Sequence, residues 1–230
     1  MKISIIIPCF NEEKTLSKIV EKVIKFQDYE KEIIIVDDYS YDNTPKIIED
    51  LKSKFKEIKS IRHDNNYGKG KGVKSGVEIS TGDIILIQDA DLEYDPEDYP
   101  KLITPFIKTD ADIVYGSRFI GGDYVRLHFF WHYIANRMLT TLCNTFTNLN
   151  MTDMETGYKL FKAEAIKSIN LKEKSFGIEP EITIKLSKKK YIFYEVPISY
   201  SGRSYEQGKK IGLSDAFKAV YCIFKYSFFD

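Results

Sequence analysis

Short runs of β-branched apolar residues alternate with stretches whose apolar residues fall at helical spacing, and this alternation governs the first half of the chain. Ile3–Pro8 is such a run, the mark of a buried parallel strand. Asn11-Glu12-Glu13 then opens a predicted helix that carries Leu16, Ile19, Val20, Val23 and Ile24 on one stripe. Strand Glu32–Val36 ends at Asp37-Asp38, and Asp42 or Asn43 is placed to cap a helix through Ile47, Ile48 and Leu51. Strand Ile58–Arg62, helix Lys71–Ile79, strand Asp83–Gln88, helix 96–108 and strand Asp112–Tyr115 continue the order. This βαβ alternation predicts an α/β fold with an open, mostly parallel sheet flanked by helices.

Beyond Gly116 the pattern is more irregular. It predicts a helix over Arg126–Leu142, a strand over Thr156–Phe161, a helix over Glu179–Leu186 and a strand over Tyr191–Pro197. An amphipathic helix, Leu213–Phe228, closes the chain. With no repeat and no low-complexity linker, the reading is a single domain over 1–230. Within it, 1–116 form the ligand-binding half, 117–210 the acceptor-binding half and 211–230 the C-terminal helix.

Composition narrows the function classes. Lys and Arg number 34 and Asp and Glu 34, so no global basic surface points to nucleic acid. Three cysteines, Cys9, Cys143 and Cys222, lie far apart without CxxC spacing. That pattern suits a reducing cytoplasm better than a disulfide framework or a zinc site. The segment before Pro8 is too short for a signal-peptide core, and no run approaches the roughly 20 apolar residues that a membrane span needs. A soluble or peripheral protein is expected.

In open parallel sheets, ligands bind outside the carboxyl ends of the strands. Phe10-Asn11-Glu12, Asp37-Asp38, Asp64-Asn65-Asn66 and Asp89–Asp91 all follow predicted strands and gather on that rim. Asp89 and Asp91, at i and i+2 in extended backbone, point the same way and suit one hard cation, with Glu93 as a third carboxylate. The same residues also fit a solvated acidic turn before Pro96. Gly68-Lys69-Gly70-Lys71-Gly72 has neither Walker A nor Rossmann spacing, and it fits phosphate contact or a flexible helix entry equally. Arg118 follows a strand, while Arg203 and Lys209 lie on a loop, where guanidinium and ammonium groups suit anions. Aromatic residues with flanking cations over Arg126–Arg137 and in the last helix read either as core or as a membrane-interface face.

Taken together, six segments resemble the family 2 glycosyltransferases, in particular their polyprenol-phosphate branch. They are Ile6–Glu12, Val36–Ser40, Gln88–Leu92, Gly116–Phe119, Thr156–Lys159, and Glu195–Pro197 followed by Arg203. The resemblance covers nearly the whole chain. It implies a GT-A (Rossmann-like) fold, an inverting mechanism and a nucleotide-sugar donor. By resemblance, Pro8, Phe10, Glu12, Val36 and Asp38 line the nucleoside pocket. Asp89, Ala90 and Asp91 bind diphosphate and Mg²⁺ or Mn²⁺, Arg118 and Arg203 reach donor or acceptor phosphate, and Lys209 lies on a closing loop. Asp91, Arg118 and Arg203 are the expected catalytic set, and Lys69 a further donor contact.

The expected acceptor follows from chemistry. A phosphate monoester loses its second proton near pH ~6 and needs cations more than a base, which suits Arg118, Arg137 and Arg203. A lipid-borne phosphate met on the inner face of a membrane, with a separate membrane-spanning partner, is the preferred reading. A saccharide hydroxyl acceptor with Glu179 or Glu181 as base is the alternative. A nucleotide- or membrane-binding module without catalysis is a third reading.

Overall fold

The computed structural model describes residues 1–121, 129–202 and 213–229. In chain order the elements are β1 Lys2–Cys9, α1 Leu16–Lys25, β2 Glu30–Asp37, α2 Thr44–Lys54, β3 Ile58–Arg62, α3 Lys69–Ile79 and β4 Ile84–Ile87. A short 3-10 turn, Pro96–Asp98, leads into α4 Tyr99–Lys108, then β5 Ile113–Ser117 and α5 Phe130–Thr147. The chain continues through β6 Lys159–Lys162, α6 Ala163–Lys167, α7 Ile178–Lys188, β7 Phe193–Pro197 and α8 Leu213–Phe228.

Seven strands form one sheet in the order β3-β2-β1-β4-β6-β5-β7. Every pairing is parallel except those of β6, which runs antiparallel to both β4 and β5. The mostly parallel α/β sheet expected from the sequence is therefore observed. Inner strands such as β1 are apolar on both faces because helices cover both. Ile3, Ile5 and Ile7 pack with Leu16, Ile19, Val20 and Leu102 on one side. Ile6, Ile34 and Val36 pack with Val73 and Val77 on the other, in a layer that also holds Ile182 and Ile223.

Several local expectations are corrected. The first helix begins at Leu16 rather than at Asn11, whose positive φ of 55° takes it out of the helical region. Asn43 makes no side-chain cap, whereas Asp42 Oδ1 accepts from the Thr44 amide at 2.9 Å. The strand expected over Thr156–Phe161 begins only at Lys159, and the helix expected to end at Leu142 runs on to Thr147. The α5 stretch that the sequence leaves open between core and surface is exposed at Phe130, Trp131 and Met138, while Leu139, Thr140 and Cys143 are buried. The short α6 was not expected at all.

The topology places one set of ends together. The carboxyl ends of the six mutually parallel strands share a rim, and the amino end of antiparallel β6 joins them there. Gly68 makes the turn into α3 on this rim with φ 99° and ψ 166°, a region open essentially only to glycine. An added Cβ would stand 2.6 Å from the Lys174 carbonyl oxygen. Gly68→Ala is expected to destabilise the fold by about 1–3 kcal/mol, the usual size of such backbone strain, measured as a fall in urea midpoint at unchanged slope.

Candidate active site

The rim opens into a cleft of about 370 Å³. Its outer wall comprises Pro8 near the end of β1, Phe10 and Glu12 after it, Asp38 after β2, and Gly68, Lys69 and Gly72 at the start of α3. Asp89, Ala90, Asp91, Glu93 and Tyr94 follow β4, and Arg118 follows β5. Glu155 and Gly157 precede β6, with Phe176, Glu179 and Tyr200 completing the inner wall. Sequence reading expected most of these residues on one rim, and the structure brings them together. Val36 is the exception on the donor side, because it is fully buried in the core behind Gly72 and does not line the cleft. Arg137 is exposed on α5 and is not part of the cleft lining either. Arg203 and Lys209 lie outside the described residues.

Asp38 is a structural anchor within this wall. Its Oδ1 accepts from the Tyr67 amide at 3.0 Å and lies 2.7 Å from His63 Nδ1, and its Oδ2 accepts from the Gly68 amide at 2.6 Å. It thus fixes the loop that delivers Lys69. Phe10 packs edge-on against Tyr41, leaving an aromatic wall beside Pro8.

Lys69 is the first residue of α3, where the helix dipole disfavours a cation. Two carboxylates compensate: its Nζ lies 2.8 Å from Asp89 Oδ1 and 3.3 Å from Glu179 Oε1. Burial pulls the ammonium towards neutrality, but Asp89 and Glu179 outweigh it and hold the pKa above the ordinary lysine range. Glu179 also accepts from Lys159, a fully buried ammonium that donates to the Met154 and Thr156 carbonyls as well.

Arg118 is held by Asp153 in a paired fork, Nε to Oδ2 at 2.6 Å and Nη2 to Oδ1 at 2.7 Å. Its guanidinium carbon lies 5.1 Å from the Tyr200 ring centroid. Asn136 of α5 adds a donor to Asp153 at 3.2 Å. Burial works against the Asp153 carboxylate, but Arg118 more than offsets it and lowers the pKa.

Asp89 and Asp91 both line the cleft, and Asp91 Oδ1 accepts from the Glu93 amide at 3.0 Å. Glu93 turns its Oε2 to the Tyr200 hydroxyl at 2.8 Å. Among the described residues, no group of three His, Cys, Asp or Glu side chains is arranged to hold a metal. The donor set is thus two hard carboxylates. That set fits Mg²⁺ or Mn²⁺, which characteristically take one or two carboxylates and complete the shell with phosphate and water oxygens. Gly157 fits closely beneath it, since a Cβ there would stand 2.4 Å from Asp89 Oδ2.

Of the two glutamates considered as bases, Glu181 is consumed. Its carboxylate accepts from the Lys172 and Glu173 amides and from Lys185. Glu155 is different. Its Oε1 is buried without a hydrogen-bond partner. Burial, then the Glu179 carboxylate, pushes its pKa up to about 7, against the opposing pull of Lys159 and Arg118.

Sequence reading gave no role to Asp153, Glu155 or Lys159. The available signal was Thr156-Gly157-Tyr158-Lys159, which was recognised as a motif but assigned to a longer strand. Only the antiparallel setting of β6 puts its entry on the rim.

These features belong to a known class. Residues 4–169 match the model of glycosyl transferase family 2, and the chain belongs to that family. Its sheet is of the GT-A kind. Glucosyl-3-phosphoglycerate synthase from Mycobacterium tuberculosis, crystallised with Mn²⁺, UDP and glucosyl-3-phosphoglycerate, shares the fold at a TM-score of 0.74. That likeness has 16% identity and covers 98% of this chain and 80% of the synthase. Among particular relatives, dolichol-phosphate mannosyltransferase from Pyrococcus furiosus is 30% identical over 98% of this chain and 64% of its own length. This chain therefore spans less than two thirds of that relative. UDP-N-acetylglucosamine–dolichyl-phosphate N-acetylglucosaminyltransferase from Methanococcus voltae is 29% identical over 95% of this chain and 93% of its own length.

Glu155 makes a pH signature that stability measurements can read. The ordinary glutamate value is 4.5 and the folded value about 7, so in between the folded chain keeps a proton that the unfolded chain releases. That contribution is fully present below the unfolded value and is lost as pH rises through the folded one. Glu155→Gln lacks it. The melting temperature of the variant relative to wild type is expected to climb from about pH 5 to about pH 8, as followed by thermal denaturation. A pH-independent difference would contradict the assignment.

Proposed function

We propose that the chain is an inverting glycosyltransferase that moves a hexose from a nucleotide sugar, of the GDP-mannose or UDP-glucose type, to a polyprenyl phosphate at a membrane surface. The observation that carries this reading is the convergence of the Asp89/Asp91 pair, Lys69 and Arg118 in one cleft at the carboxyl rim. Family membership supports transfer of a glycosyl group, and the two archaeal relatives, both named for dolichol-phosphate acceptors, support the acceptor class. Their names differ in the sugar.

Within this reading, Pro8, Phe10, Glu12 and Asp38 border the nucleoside. Ala90 has no side chain beyond its Cβ and lets the diphosphate approach the chain between Asp89 and Asp91. Those two carboxylates would hold Mg²⁺ or Mn²⁺, which when bound supplies Lewis-acid neutralisation of the leaving nucleoside diphosphate. Lys69 adds a fixed cation beside Asp89. Arg118, its fork immobilised by Asp153, presents positive charge to donor or acceptor phosphate, and Arg203 and Lys209 are assigned the same task.

An acceptor phosphate already carries its nucleophilic charge at neutral pH, so orientation by cations replaces a general base. The engagement of Glu181 with backbone amides and Lys185 supports this choice over a hydroxyl acceptor served by that residue.

The membrane part of the proposal is supported by the surface of α5 and α8. These helices pack through Phe146 against Phe224 and Phe228. Outward they expose Phe130, Trp131, Phe217, Tyr221 and Phe228. Amphipathic helices with aromatic faces and flanking lysines lie in the lipid interface. No helix among the described residues is long and apolar enough to cross a membrane.

Two measurements test these assignments. Asp91→Ala is expected to lower Mn²⁺-supported transfer from nucleotide sugar to a polyprenyl phosphate by about 10²–10³-fold, the scale of one lost electrostatic contact to the leaving group, with little change in melting temperature. Retained activity would remove Asp91 from the metal site. Trp131 is the only tryptophan in the chain and is 77% exposed. Its fluorescence is expected to shift to shorter wavelength when anionic phospholipid vesicles are added, and an unchanged spectrum would place this face away from the bilayer.

A further inference from the structure

Five carboxylates cluster around the inner cleft and its supports: Asp153, Glu155, Glu179, Glu181 and Glu195. Four are saturated by partners within the protein. Asp153 holds Arg118 and Asn136, and Glu179 holds Lys159. Glu181 takes the amides of Lys172 and Glu173, and Glu195 those of Thr152 and Asp153. Glu155 differs from all of them in lining the cleft with a buried Oε1 that has no partner. A buried oxygen left in this state costs on the order of 1–3 kcal/mol. Such an oxygen calls for an explanation, and a ligand that supplies the missing hydrogen bond is one.

The position of Glu155 indicates which part of a ligand it meets. Two residues on, Gly157 abuts the Asp89 carboxylate that marks the diphosphate end of the site. Two residues back, Asp153 fixes Arg118, the cation assigned to phosphate. The transferred sugar must lie between leaving group and acceptor, which is the span that Glu155 occupies along the chain.

Its chemistry agrees. An ionised carboxylate only accepts hydrogen bonds, and a protonated one both donates and accepts. A sugar ring offers hydroxyls that satisfy either form. A phosphate dianion offers no proton and would be repelled by the carboxylate. Among the described residues around Glu155, Lys69, Arg118 and Lys159 stand against Asp89, Asp153, Glu155 and Glu179, so the three cations there are matched by carboxylates and do not favour a further anion at this point.

We infer that Glu155 receives a hydroxyl group of the donor's sugar and thereby helps to select which nucleotide sugar is used. The inference rests on the nucleotide-sugar reading of the cleft, and it concerns a residue to which that reading assigned no role.

The test is calorimetric titration of wild type, Glu155→Gln and Glu155→Met with UDP, GDP, UDP-glucose, UDP-N-acetylglucosamine and GDP-mannose in the presence of Mn²⁺. Both variants are expected to bind the matching sugar-free diphosphate within about twofold of wild type. They should lose about ten- to hundredfold in affinity for the nucleotide sugar, the worth of one hydrogen bond to a charged group. The order of preference among sugars should change with it. The Met variant should melt no lower than wild type, because it removes an unpartnered buried carboxyl of similar length. Equal loss for diphosphate and nucleotide sugar would make Glu155 a structural residue and overturn the inference. So would loss confined to turnover, which would mark an acceptor or base role. A wild type that binds UDP or GDP but no nucleotide sugar would fail at the functional reading itself, and that result is distinct from the variant outcomes.

Discussion

The contact on which the site depends is the Lys69 ammonium lodged between Asp89 and Glu179. It ties together three segments distant in sequence: the start of α3, the end of β4 and the start of α7. A lysine at a helix N-terminus is a local disadvantage, and removing either carboxylate would leave a partly buried charge incompletely paired. The neighbouring Lys159 makes Glu179 a shared counter-ion, so the network is fixed from both halves of the sheet. Close glycine fits preserve it. Gly70 lies against the Glu173 and Lys174 backbone and Gly157 against Asp89, and neither leaves room for a methyl group.

A second constraint is topological. Were β6 parallel, its carboxyl end would face the rim and residues 153–158 would lie on the opposite edge. Because it is antiparallel to β4 and β5, its entry segment delivers Glu155 and Gly157 into the cleft and sets Asp153 behind Arg118. The same reversal lets Tyr158 reach Gln88 at 2.8 Å, where Tyr99 also donates at 2.7 Å, and so buttresses the strand end that carries Asp89.

This reversal also explains what could and could not be read from sequence. The strands β1 to β5 and the polar residues after them are legible, because short apolar β-branched runs and helical spacing are local properties. Asp89, Asp91, Lys69, Glu12 and Arg118 follow from that order and do meet. Strand direction is set by which neighbours pair, and nothing local in Thr156–Phe161 signals it. Nothing in the sequence therefore marks Asp153 and Glu155 as neighbours of the cleft. Val36 failed for another reason: a motif position was read as lining when the helix packed over it buries it completely. The aromatic stripes of α5 and α8 read either as core or as surface in the sequence, and the packing decides it: Cys143, Ile223 and Tyr226 turn inward, while Phe130, Trp131, Phe217 and Phe228 stay exposed.

Charge within the cleft bears on how an anionic donor is accommodated. Among the described residues, Lys69, Arg118 and Lys159 stand against Asp89, Asp153, Glu155 and Glu179 around the inner cleft, and all three cations are already bound closely to carboxylates. A nucleoside diphosphate entering such a wall would meet no net attraction from it. On the proposed reading, an anionic donor would bring positive charge with it, and Mg²⁺ or Mn²⁺ held by Asp89 and Asp91 would supply that charge. The tasks would then be divided. The carboxylate pair would serve the donor's diphosphate, and Arg118, immobilised by Asp153, would serve a phosphate. On the same reading, the uncharged sugar is the part of the donor whose hydroxyls suit Glu155 whether its carboxyl is protonated or ionised.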